Sequence, residues 1–180
     1  VVRSYAKNSQ DTTLSGNQLV ELLPFENGDG SIANPYEVTN LNDLRYISEN
    51  PSLWDDHFVQ TADIDAGPTV AWDDLDQNGD GLKYNDPNDS DGTAGGNEGW
   101  MPIGTFNTPF TGSYDGGSYT IQELNISRSD KDYVGLFGVT DGADISNIGL
   151  VEAKIDGSNY VGGIVGLHEK AGGETGGLLT

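Results

Sequence analysis

Apolar positions recur along this chain at two different periods. In the segment 40–49, Leu41, Leu44 and Ile47 lie three residues apart among polar neighbours, the spacing of one helical face. Asn40 or Thr39 stands where an N-cap belongs, and Pro51 stops the run. On either side the pattern is that of strands: Tyr36-Glu37-Val38 is short and alternating, and 58–65 resumes as a strand after the proline. Residues 1–23 mix polar positions with Val1, Val2, Tyr5, Leu14, Leu19, Val20, Leu22 and Leu23, which suits a short strand pair or an arm.

From Trp100 onward, short apolar runs alternate with glycine turns, at 110–114, 119–126, 133–138, 145–150, 154–155 and 160–166. Tyr133-Val134-Gly135 recurs as Tyr160-Val161-Gly162. Repetition at roughly 20 to 30 residues is the mark of units that stack, because one unit alone buries too little apolar surface. The expectation is an all-β fold, a β-solenoid with a small N-terminal cap containing one short α-helix. A β-sandwich with Gly-rich hairpins is the alternative. The predicted organisation is an N-terminal arm at 1–27, a cap with the short helix at 28–65, an insertion at 66–99 and Gly-rich coils at 100–180.

Composition narrows the function classes. The 180 residues carry 29 Asp and Glu against 8 Lys and Arg, a net charge of −21. Nucleic acid and anionic membranes are poor partners for such a surface. There is no cysteine, so disulfides and thiolate metal sites are excluded. No apolar run is long enough to span a bilayer, so membrane insertion is not expected. The chain opens on Val1 without Met or an apolar leader, as expected of a secreted product whose export signal was removed, or of a fragment.

The insertion carries the candidate chemistry. Asp74, Asp76 and Asn78 fall at alternate positions, followed by Gly79 and Asp80. In a tight loop that spacing turns successive oxygens toward one centre, and the glycine permits the bend. The aspartates between 73 and 91 have only Lys83 for cationic company, so they repel one another unless a hard divalent cation sits among them. The predicted Ca²⁺ ligands are Asp74, Asp76, Asn78, Asp80, the Leu82 carbonyl and Asp86, with Asn88, Asp89 and Asp91 as oxygen for a second ion. The twelfth loop position is Asn85 rather than Glu, and no amphipathic helix flanks the loop, which argues against a helix–loop–helix sensor. Asp63 and Asp65 stand just ahead of the insertion and could add oxygens. A solvated acidic loop without metal is the plainer reading.

Gly135-Leu136-Phe137-Gly138 and Gly163-Ile164-Val165-Gly166 resemble the GLUG motif, a Gly-rich repeat of bacterial extracellular and cell-surface proteins. An ordered set of further marks resembles the N-terminal cap of that family. They are the stretch from Gly28 to Tyr36, the 41–47 helix, Thr61-Ala62-Asp63-Ile64-Asp65, Trp100-Met101-Pro102-Ile103-Gly104 and the stretch from Phe110 to Gly116. The resemblance implies a right-handed β-helix. The acidic insertion departs from it, so the resemblance implies nothing about Ca²⁺.

Enzymatic signatures are weak. Asp55/Asp56 and Asp63/Asp65 could in principle serve glycoside hydrolysis, yet acids two apart on a strand more often face solvent or a turn. His57 and His168 stand alone, and no metal-binding His pair, nucleophile elbow or phosphate loop occurs. Trp54, Trp72 and Trp100 could form a sugar platform, though a Trp beside a glycine turn is more often core or a lid. The sequence therefore predicts a non-enzymatic, Ca²⁺-stabilised structural module of a secreted surface or matrix assembly, a fibre or an adhesin. Self-assembly through solenoid ends, by strand addition head to tail, and contact with surface glycans are the expected partnerships. A carbohydrate-binding or polysaccharide-active β-helix protein is the alternative.

Overall fold

In the computed structural model, which describes residues 24–72 and 97–169, the predicted helical spacing becomes α1 (Leu41–Glu49). The Asn40 carboxamide oxygen accepts from the Asn42 and Asp43 amides at 2.9 and 3.2 Å, satisfying donors that the first turn leaves open. Leu44 and Ile47 are wholly buried. The Ser48 hydroxyl donates to the Met101 carbonyl at 2.6 Å, and the Trp54 indole donates to the Ile47 carbonyl at 2.8 Å. Those bonds fix the helix to the Met101 segment and to the turn at Trp54.

The strands are β1 (Tyr36–Val38), β2 (His57–Gln60), β3 (Ile64–Asp65), β4 (Ser113–Asp115), β5 (Thr120–Gln122) and β6 (Asn125–Arg128). After them come β7 (Phe137–Asp141), β8 (Asp144–Ser146), β9 (Gly149–Val151), β10 (Lys154–Gly157) and β11 (Val165–Glu169). Every pairing between them is parallel. They form four sheets, ordered β1-β2-β4-β8, β3-β5-β9, β6-β10 and β7-β11.

This corrects the expected right-handed β-solenoid. The described residues form four small, separate parallel sheets, and no closed solenoid is detected among them. The physical reason lies at the strand ends. Strands of two to five residues are broken by left-handed residues at Ser118, Glu123, Tyr133, Asn147, Glu152 and Tyr160, and these turn the backbone out of any continuing ladder. The 3-10 turn Gly67–Ala71 also stands where β6 would need a partner. There the Thr69 hydroxyl accepts from the Asn125 amide at 2.9 Å instead.

Within each sheet the register aligns apolar residues into rows. Tyr36, Phe58, Tyr114 and Ile145 are successive partners in the first sheet, and Ile64, Ile121 and Leu150 in the second. Ile126 faces Ile155, and Phe137 faces Val165. Each fully buried aromatic or branched side chain contributes about 1.5–3 kcal/mol. The rows are buried through Ile121, Ile126 and Phe137 but only half-buried at Leu150, Ile155 and Val165.

Glycine is required where Gly138 crosses Gly104. A Cβ on Gly138 would lie 2.6 Å from the Gly104 carbonyl oxygen, closer than any side chain is tolerated against backbone. Gly138 is the second glycine of the first Gly-rich motif. The buried polar atoms on this face are paired: the Gln60 amide donates to the Ala62 and Thr120 carbonyls at 2.8 and 3.2 Å. The Tyr114 hydroxyl donates to the Gln60 oxygen at 3.2 Å, and burial pushes the Tyr114 phenol well above its usual range.

Candidate functional site at the neck of the acidic insertion

The predicted Ca²⁺ ligands Asp74, Asp76, Asn78, Asp80, Leu82, Asp86, Asn88, Asp89 and Asp91 all lie outside the described residues. The insertion's base is described, and it is closed. The Gly99 amide donates to the Trp72 carbonyl at 2.9 Å, and the Asn97 carboxamide donates to the Val70 carbonyl at 3.3 Å. Trp72 and Trp100, one on each side of the insertion, pack with ring centroids 6.1 Å apart. The Arg45 guanidinium lies 6.0 Å from the Trp72 ring and its Nε is 3.4 Å from a Glu49 oxygen. The two ends of the insertion are thus pinned to each other, to α1 and to the core.

An open cleft of about 430 Å³ sits at this neck, lined among others by Asn40, Asn42, Arg45, Asp63, Asp65 and Trp72. Asp63 and Asp65, expected as possible metal oxygens, serve the fold here. One Asp63 oxygen accepts from the Thr120 amide and hydroxyl at 2.8 and 3.0 Å. One Asp65 oxygen accepts from the Gly67 amide at 2.9 Å. A Cβ on Gly67 would lie 3.0 Å from Asp65 Oδ1 and 3.1 Å from Glu123 Oε2, so two carboxylates converge over a bare Cα. Among the described residues no group of three or more His, Asp or Glu is arranged to hold a metal ion.

The remaining sequence candidates fall apart as chemistry. Trp54, Trp72 and Trp100 are buried, which removes them as a sugar platform. His57 Nδ1 is 2.8 Å from the hydroxyl of Ser113, its partner on the next strand. His168 Nδ1 stands 2.8 Å from the Thr140 hydroxyl in the same kind of pairing. Both histidines are therefore rungs between parallel strands. Asp56 is held above the usual carboxylate range by burial and then by neighbouring Asp55, with His57 acting in the opposite direction.

A feature that sequence reasoning missed lies on another face. Phe106, Tyr133 and Tyr160 form a column, with centroids 5.6 and 5.0 Å apart and planes 20° and 14° from parallel. Such centroid distances between near-parallel rings mean offset stacking. Phe106 is 59% exposed and Tyr160 54%. The recurrence of Tyr-Val-Gly was the available signal, because identical residues on neighbouring parallel segments stack. Asp132 accepts from the Asn159 amide and carboxamide at 3.0 and 2.8 Å. That holds its carboxyl below the usual range and locks the two tyrosines in register.

Comparison with known proteins adds two sequence relatives. Halomucin of Haloquadratum walsbyi is 35% identical over 143 residues, covering 77% of this chain and 1% of that protein. A provisionally named Gly-rich membrane protein of Evansella cellulosilytica is 32% identical over 119 residues, covering 64% of this chain and 10% of that protein. The chain thus spans only a small part of either relative. A solved Bacteroides ovatus protein, provisionally named an immunoglobulin A1 protease, aligns with a TM-score of 0.48 at 24% identity, over 75% of this chain and 31% of that one. No family model matches the chain. No helix among the described residues is long and apolar enough to cross a membrane.

Proposed function

We propose that this chain is a segment of a cell-surface or extracellular protein and serves there as a structural module. The names of the two relatives support the location. The glycines at close backbone crossings support membership of the GLUG-motif group, as at Gly138. In this reading the module performs no catalysis of its own. It is a stiff element whose rigidity depends on Ca²⁺ held by the acidic insertion.

The observation that carries the proposal is the closed neck. Without a cation the insertion's carboxylates repel one another, which costs stability. One or two Ca²⁺ ions would remove that repulsion. Because Trp72 and Gly99 are hydrogen-bonded and Trp72 packs on Trp100, ordering the loop adds directly to the stability of the core beneath. A ligand that binds only the folded state stabilises it by mass action. Replacing Asp76 with Ala should sharply reduce the calcium-dependent rise in melting temperature without lowering the metal-free value. A variant that responds to calcium like the parent would refute the assignment of that loop.

Strands β9, β10 and β11 each stand at the edge of their sheet, and their inward residues Leu150, Ile155 and Val165 are half-buried. This favours a role in assembly, in which the edge receives a strand from another copy of the chain. A contact of that kind is head to tail and gives a filament. Sedimentation at increasing concentration, with calcium present, should show species larger than one chain. A single monomeric species throughout would remove the assembly part of the proposal and leave the calcium part standing.

A further inference from the structure

The aromatic column and the cleft beside it carry an inference independent of calcium and of self-assembly. The cleft, about 200 Å³, is lined by Met101, Pro102, Phe106, Lys131, Asp132 and Tyr133, among others. Its floor is apolar and its rim carries groups of both signs. We propose that it is a saccharide site, taking a neutral linear glycan whose sugar rings lie against Phe106 and run along the column toward Tyr160.

Four observations point to that ligand. First, the column places exposed aromatic surface along one face. Phe106 and Tyr160 are among the few large apolar side chains left open, and Val161, 44% exposed, adjoins the end of the column. Exposed apolar strips with polar margins mark contact surfaces.

Second, the presentation is rigid. Phe106 sits in a tight turn in which the Thr105 amide donates to the Thr108 carbonyl at 2.8 Å and the Thr108 amide returns to the Thr105 carbonyl at 3.2 Å. The Thr105 hydroxyl also accepts from the Thr108 amide at 3.1 Å. Tyr133 is fixed by its amide donating to the Asn159 carbonyl at 2.9 Å. Rings held in place before binding lose little entropy on contact.

Third, the three rings stack one on the next at steps of 5.6 and 5.0 Å, so the column presents an extended strip of ring edges closed by the outer rings Phe106 and Tyr160. A linear polymer of rings can follow such a strip. A single small molecule would use only one step.

Fourth, the charge selects the class. Lys131 donates to Asp130 at 2.8 Å, and Asp132 is bound to Asn159, so the rim offers donors and acceptors with little net charge. A polyhydroxylated ring needs that mixture around an apolar face: its C–H face meets the aromatic ring and its hydroxyls meet the rim. The chain's net charge of −21 disfavours polyanions, whether nucleic acid or acidic glycan.

The test is isothermal titration of the full chain with neutral linear hexasaccharides, namely a β-1,4-glucan, a β-1,4-xylan and an α-1,4-glucan, alongside a sulfated glycan. At least one neutral glycan should bind, and the sulfated one should not. Phe106→Ala should weaken binding about tenfold or more and lower the melting temperature by no more than a few degrees, because Phe106 lies largely in solvent. Lys131→Met, which leaves the column in place, should weaken binding as well, and Ile32→Ala, on a distant exposed turn, should not. Failure of every neutral glycan to bind, or full affinity in Phe106→Ala, would overturn the proposal. So would loss of a self-associated species in Phe106→Ala, which would make the column a protein contact.

Discussion

The two outer thirds of the parallel stack share one sequence pattern and differ in burial. Ile121, Ile126, Val134 and Phe137 are inaccessible, whereas their partners Leu150, Ile155, Val161 and Val165 are half-buried or exposed. Nothing in the local residue chemistry explains the contrast, since both sets are branched or aromatic residues at the same strand positions. The difference is the neighbour. Ile121 has a strand on either side, and Ile126 and Phe137 are covered on their second side by Gly99 and Ile103, whereas Leu150, Ile155 and Val165 have a described neighbour on one side only. Burial in this fold is therefore a property of position in the stack, as in any array stabilised by nearest-neighbour contacts.

The comparison can be broken most strongly by truncating one residue from each set. Phe137→Ala should cost about 3–5 kcal/mol, while Val165→Ala, its partner across the ladder, should cost about 1 kcal/mol or less. Urea unfolding of the two variants checks this, and equal losses would mean that the outer layer is as well packed as the inner one. Next in size comes Gly138→Ala. Its Cβ would press on the Gly104 carbonyl oxygen, so a loss of about 1–3 kcal/mol is expected. Gly163→Ala, where the nearest atom would be 3.5 Å from the new Cβ, should lie near neutral. The glycine that is tight in the second motif is Gly166, whose Cβ would lie 2.6 Å from the Tyr160 carbonyl oxygen and 2.8 Å from that of Gly138.

A similar effect is expected at the neck. Thr69→Val removes the hydroxyl that donates to the Ala66 carbonyl and accepts from the Asn125 amide, and should cost about 1–3 kcal/mol. Calorimetry that finds no change would show that the neck does not contribute to the core. The smallest effect concerns pH. Burial and Asp55 raise the Asp56 carboxyl above its unfolded value, so the contribution of this group is favourable below the unfolded value and is lost as pH rises through the folded one. Asp56→Asn should accordingly raise the melting temperature at neutral pH by about 1–2 °C, with the gain vanishing below the carboxylate range. A gain that persists in acid would assign the effect to packing instead.

Much of this architecture could be read from residue order. Helix α1 was legible because Leu41, Leu44 and Ile47 share a face and Asn40 caps it, both local properties. The apolar rows were legible because strand alternation is local as well. The division into separate sheets was not. It depends on left-handed backbone at Ser118, Glu123, Tyr133, Asn147, Glu152 and Tyr160, of which only Asn147 is a residue type that favours that conformation. The glycines that mark such corners in a sequence here mark others.

The acidic insertion announced itself through composition, whereas its neck did not. The neck is made from a backbone hydrogen bond and from two tryptophans that lie far apart in sequence. Asp63 and Asp65 looked available for metal because their positions adjoin the insertion, yet backbone and hydroxyl donors occupy an oxygen of each. The aromatic column left a trace in the repeated Tyr-Val-Gly, but Phe106, which begins it, comes from a turn with no counterpart in the repeat.

The most direct test of the central claim is the melting temperature of the intact chain in millimolar calcium and again in excess chelator. A cation held by the insertion and transmitted through the Trp72–Gly99 neck predicts a rise of about 5–10 °C with calcium. Identical melting temperatures in calcium and in chelator would contradict it.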